Sequence, residues 1–331
     1  MLDVDTFLAT LYVMADEFCQ PQVPPDTRPG PAAALTRSEV LALALFGQWR
    51  RFESERAFYR YASRHLRSAF PTLPRRAQFN RLVRRHRAAI AAFGLHLAHR
   101  PAVRTWRDGV YEALDGTAAP VRQVGRRGHG WLAGQADRGW STHLGWYWGL
   151  RVLGAVTPGG AITGFGVGPA SANERPLAEA FFATRHGPLP LPPPALPPVP
   201  WVGQPVGGAY VFYATDTGFE GAEAHARWQA AYGVRVVCPP KRTADPASPG
   251  SRPKRQWPQR WRRWLAGLRQ IVETVFAKLH HTFRLLDERP HDLTGFLARL
   301  AAKVALHNFC LYLNCTLGRD RLAFADLVDW P

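Results

Sequence analysis

Apolar residues recur at helical spacing from Val4 to Phe18, and a proline-containing break from Gln20 to Pro31 separates this helix from the next signal. Thr36-Arg37-Ser38-Glu39 reads as a capping box, in which the Thr hydroxyl satisfies a free N-terminal amide and the Glu carboxylate returns the bond. It predicts a helix over Ser38–Trp49. Arg56, Arg60, Arg64 and Arg67 recur at helical intervals with Tyr59 and Tyr61 nearby, so a helix there carries an arginine edge suited to a phosphate backbone. The turn Phe70-Pro71-Thr72-Leu73-Pro74 then leads to a further helix over about Arg76–Leu97, an arrangement compatible with a helix-turn-helix-like bundle.

Beyond Trp106 the pattern changes to short apolar runs bounded by glycine. Val110–Asp115 ends at Gly116 and Tyr210–Asp216 ends at Gly218; Trp146–Val156 and Ala161–Val167 are joined by Thr157-Pro158-Gly159-Gly160. With a further strand near 234, these runs predict an α/β fold with a mixed five-stranded sheet flanked by helices. Arg122–Arg138, rich in Gly and Arg, reads as a loop, and Pro188–Pro205 as an extended proline spacer. Arg269–Leu279 is apolar at 272, 275, 276 and 279, one helical face, and Leu297–Leu313 is a second apolar helical run. The expected division is an N-terminal all-α domain over 1–105 and an α/β domain over 106–331, with insertions near 185–206 and 239–263.

Composition narrows the class. Hydrophobic residues make up 46% of the 331, enough for a sizeable core. A formal charge of +17 favours a polyanionic partner, because each neutralised phosphate releases condensed counterions. No run is read as a membrane span or a secretory leader, and Cys19, Cys238, Cys310 and Cys315 lack paired CxxC spacing, which points to a reducing, cytoplasmic setting. The segment 239–263 combines Arg255 and other cations with Trp257, Trp261 and Trp264, compatible either with stacking on unpaired bases or with one face of a packed helix.

The candidate chemistry is carried by Asp115 and Asp216, each where a strand run gives way to a turn, and by Glu273 at the edge of a buried helical stripe. Hard divalent cations take oxygen ligands, and two ions roughly 3.5–4 Å apart stabilise the attacking and leaving oxygens of a phosphodiester displacement.

Leu114-Asp115-Gly116-Thr117, Gly145-Trp146-Tyr147-Trp148-Gly149-Leu150-Arg151, Asn173-Glu174-Arg175-Pro176-Leu177, Thr215-Asp216-Thr217-Gly218-Phe219 and Arg269 through Leu279 occur in the order seen in DDE transposases of bacterial insertion sequences. From about Asp115 to Asn314 the chain resembles that family. The resemblance implies an RNase H-like core and a catalytic, metal-binding triad of Asp115, Asp216 and Glu273. It also implies two magnesium ions, with manganese able to substitute. Double-stranded DNA would be the partner, through terminal inverted repeats and a target site, with a homodimer forming on DNA in a bacterial cytoplasm. DNA contacts are expected from Arg56, Arg60, Arg64, Arg67, Arg151, Arg255, Arg269 and His280. Thr217, Ala266 and His280 stand where relatives commonly carry Lys, Tyr and Lys. The alternatives are a transposase-derived DNA-binding protein without cleavage, or another RNase H-like nuclease.

Overall fold

A computed structural model describes residues 1–22, 33–122, 132, 134–187, 212–240 and 257–330. The expected proline spacer and Arg255 lie outside the described residues, as does most of the expected loop at Arg122–Arg138. The chain forms two compact units, Met1–Val103 with Ala277–Pro331, and Arg104–Phe276.

The first unit opens with β1 (Leu2–Asp3) and α1 (Val4–Gln22), whose inner face buries Phe7, Leu8, Leu11 and Phe18. α2 (Arg37–Phe46) starts at the capping box: Glu39 N donates to Thr36 Oγ1 at 3.2 Å, and Thr36 N to Glu39 Oε2 at 2.6 Å. In α3 (Glu55–His65), capped by the Ser54 hydroxyl, only Phe58 and Ala62 are buried, leaving Arg56, Arg60 and Arg64 exposed. Arg67 is also exposed but lies past the helix end, donating to the Pro71 carbonyl. The single helix expected over 76–97 is two, α4 (Arg76–Arg85) and α5 (Arg87–Ala98), because His86 at φ −91°, ψ 12° leaves helical geometry.

The second unit is a mixed sheet. β2 (Tyr111–Arg122) pairs antiparallel with β4 (Gly145–Val156), and β4 pairs along its other edge with β3 (Asp137–Ser141) and β5 (Ile162–Pro169). After α6 (Glu174–His186), β6 (Phe212–Ala214) joins β2 in parallel. α7 (Ala222–Tyr232) then leads to β7 (Val236–Val237), parallel to β6. The five expected strand regions are all occupied, and β3 is a sixth that its short alternation did not reveal. On one face Leu177, Phe181 and Phe182 of α6 pack with Leu114, Leu153, Tyr213 and Trp228. On the other, Leu265 of α8 (Gln259–Ala277) packs with Tyr111 and Ala214, and the partly buried Trp257 packs against this cluster. Trp261 and Trp264 remain 47% and 41% exposed. Gly154 has no side chain to obstruct Phe276, since a Cβ there would come within 2.9 Å of its ring.

The chain returns to the first unit through a π-helical turn at Lys278–Thr282. It continues into α9 (Leu293–Thr316), and β8 (Val328–Asp329) then pairs with β1. Residues 277–331, expected with the α/β segment, thus group with the N-terminal helices, because α9 buries its apolar surface in their midst; the β1–β8 pair means this unit is not purely helical. Among the described residues α9 alone has the length and apolarity of a membrane span, which the sequence reading did not find, yet 83% of its most apolar stretch is buried within the protein.

In the sheet unit, Glu112 and Arg185 are both fully buried and share two bonds of 2.8 and 3.2 Å, with Thr163 bridging them. They tie α6 to β2 and β5. Removing one partner strands a charge in the interior, so Glu112→Ala is expected to lower unfolding free energy by about 3–5 kcal/mol. Replacing both with apolar residues of similar volume should cost less, which urea unfolding of the two variants checks.

Candidate metal centre

Asp115 sits within β2 and not at its end, because β4 continues to offer partners beyond it, from Leu153 opposite Gly116 to Trp148 opposite Arg122. Its own cross-strand partner is Gly154, over which the Phe276 ring packs. Asp216 emerges two residues past β6. The parallel register pairs Ala113 with Ala214, so continuing it by two residues brings Asp216 level with Asp115 on the neighbouring strand. There Asp216 caps a 3-10 turn, its Oδ1 accepting from Gly218 N at 2.8 Å.

The third acid is Glu174, the first residue of α6. Asp115, Glu174 and Asp216 each offer an oxygen, and these atoms lie within 4.8 Å of one another. Glu174 fits because residue 218 is glycine; a Cβ there would overlap its Oε2. The sequence carried a signal for it: Asn173-Glu174-Arg175-Pro176 is a helix start, which places an acid in the first turn where the helix dipole favours negative charge. That pattern fixes the local position of Glu174 but not which strand end it meets.

Glu273 stands outside this group. It lies four residues beyond Arg269 on α8 with its side chain 54% exposed. Arg269 Nη2 is 2.7 Å from Asp115 Oδ2 and 4.0 Å from Glu273 Oε1, so the guanidinium stands beside both. Arg151, expected at DNA, pairs with Glu174 at 3.1 Å. His280, projected at 100° per residue onto the side of Arg269 and Glu273, lies past the end of α8 at Ala277, in the π-helical turn that belongs to the first unit.

Burial raises the Asp115 pKa to about 6, with Arg269 lowering it and Asp216 pushing it up. Burial likewise lifts Glu174 to about 7, Asp216 adding to the rise and Arg151 opposing it. Arg269 and Arg151 thus do not offset the burial of Asp115 and Glu174. The all-oxygen donor set and this incompletely compensated negative charge fit a hard divalent cation such as magnesium or manganese. Comparison of the chain with protein-family profiles, characterised proteins and solved structures finds no match.

Both shifts are upward, so the folded chain retains protons that the unfolded chain releases. Without metal, stability is therefore expected to fall as pH rises from about 4 to about 7. Magnesium should raise the melting temperature above pH 7 and have little effect at pH 5, where protons occupy the carboxylates; melting curves at the two pH values, with magnesium or EDTA, check this.

Proposed function

We propose that this chain is a DDE-type transposase with an RNase H-like core, binding the terminal inverted repeats of its own element, cutting at their ends and joining the freed 3′ hydroxyl to target DNA. The observation that carries the reading is the convergence of Asp115 within β2, Asp216 just past the end of the parallel neighbour β6, and Glu174 at the start of α6, in a chain of charge +17. The antiparallel β2, β4 and β5 continued by parallel β6 and β7 between α6 and α8 support it.

A divalent cation bound here would supply Lewis-acid stabilisation of the phosphodiester displacement. Asp115 and Asp216 form the floor of the site, each anchored by a backbone amide, Gly116 N at 2.7 Å and Gly218 N at 2.8 Å. Arg151 orients Glu174, and Arg269 orients Asp115. Glu273, the third member of the implied triad, flanks the cluster across Arg269. The exposed Arg56, Arg60, Arg64 and Arg67 of the first unit serve as phosphate contacts that set register on the terminal repeat.

The test is cleavage and joining of end-labelled DNA bearing the inverted repeats that flank the coding sequence, with magnesium or EDTA. Asp115→Asn and Asp216→Asn are expected to lose at least about 100-fold in cutting while still binding the ends. Comparing Glu174→Gln with Glu273→Gln identifies which glutamate completes the site. End binding by the wild type without magnesium-dependent cutting would make the chain a DNA-binding derivative; cutting without preference for the repeats would make it another nuclease.

A further inference from the structure

β3 and β4 form a hairpin closed by the pair Ser141 and Gly145. Gly145 adopts φ +67°, the left-handed conformation a tight three-residue connection requires, and Leu144 N donates to Ser141 Oγ at 3.1 Å. Directly opposed residues of an antiparallel ladder project to the same face. Trp140 opposes Trp146, and Trp148 opposes Arg138 on one side and Arg122 on the other. These five side chains therefore share one face. The residues between them turn the other way: Tyr147 is buried, and Gly139 packs on Ala170.

This face combines exposed aromatic surface with positive charge. Trp140 and Trp146 are 53% and 54% exposed. The Arg138 guanidinium lies 4.4 Å from the Trp146 ring centroid, and that of Arg122 lies 4.5 Å from Trp148. The nearest acid in sequence, Asp137, is engaged elsewhere, accepting from Ser171 N at 2.8 Å and from the Ser171 hydroxyl. Two indoles left in water beside guanidiniums match the surface that holds unpaired nucleic acid, where bases stack on rings and cations hold phosphates. Gly154, opposite Asp115, lies six residues along β4 from Trp148 with the same parity, so the aromatic face and Asp115 share one side of the sheet, about 20 Å apart along the strand.

We propose that the β3–β4 hairpin is a binding platform for single-stranded nucleic acid, with bases stacking on Trp140 and Trp146 and the backbone held at Arg138. The site stands on the hairpin and needs no metal, so it is tested separately from cleavage, with the full chain in EDTA. A labelled oligothymidylate, followed by anisotropy, should bind about 10-fold more weakly for each indole removed in Trp140→Ala and Trp146→Ala. Blunt duplex binding should change less than twofold, and Trp146→Phe should retain most of the affinity. On the unmodified protein, photo-crosslinks from a 5-iodouracil-substituted oligonucleotide should map to Trp140 or Trp146. Equal oligothymidylate binding by the double alanine variant, equal loss of single-strand and duplex binding, or crosslinks confined to other residues would each overturn the proposal. A changed sedimentation coefficient with unchanged oligothymidylate binding would overturn it in favour of a second copy of the chain.

Discussion

Asp115 and Glu174 are held beside Asp216 where burial and a neighbouring carboxylate both oppose their ionisation, and much of the sheet unit serves to keep the three together. The parallel β2–β6 register sets the two aspartates level, Gly218 leaves room for the Glu174 carboxylate, Gly154 leaves room for Phe276, and Arg269 and Arg151 each steady one acid. The fully buried Glu112–Arg185 pair locks α6 against the sheet, and α6 carries Glu174 at its first turn. Stability and site geometry are therefore linked through one helix.

Buried Glu288 in the first unit shows what a compensated acid looks like. Burial pushes Glu288 up, yet Lys303 at 2.9 Å and Arg299 at 2.5 Å outweigh it and hold its pKa at about 2. Glu288 faces two cations, of which Arg299 also pairs with Glu55 at 2.9 Å and Lys303 is further tied to Gln48 at 2.9 Å. Asp115 and Glu174 move in the opposite direction because each faces another carboxylate as well as one arginine. The opposite directions follow from whether cations or carboxylates surround the buried acid.

Positive charge is distributed by a similar division of labour. In α3 the arginines stay on the solvent side because Phe58 and Ala62 supply the buried stripe. In the sheet unit, arginines are drawn into contacts with carboxylates or indoles, as at Asp115, Glu174 and Trp146. A charge of +17 spread over both settings identifies no single DNA face.

What the sequence determined by itself was local. Thr36 and Glu39 wrote the start of α2, Thr157-Pro158-Gly159-Gly160 set the bend between β4 and β5, and the apolar spacing around Glu273 and through 297–313 gave α8 and α9. Each depends on residues within a few turns of one another. Tertiary structure alone decided that β2 runs on through Asp115, that residues 277–331 pack with the N-terminal helices, and that Glu174 completes the cluster while Glu273 stands beyond Arg269. Those outcomes rest on strand register and on which helix face finds a partner. Both are fixed by contacts between residues far apart in the chain, which periodicity and spacing do not encode.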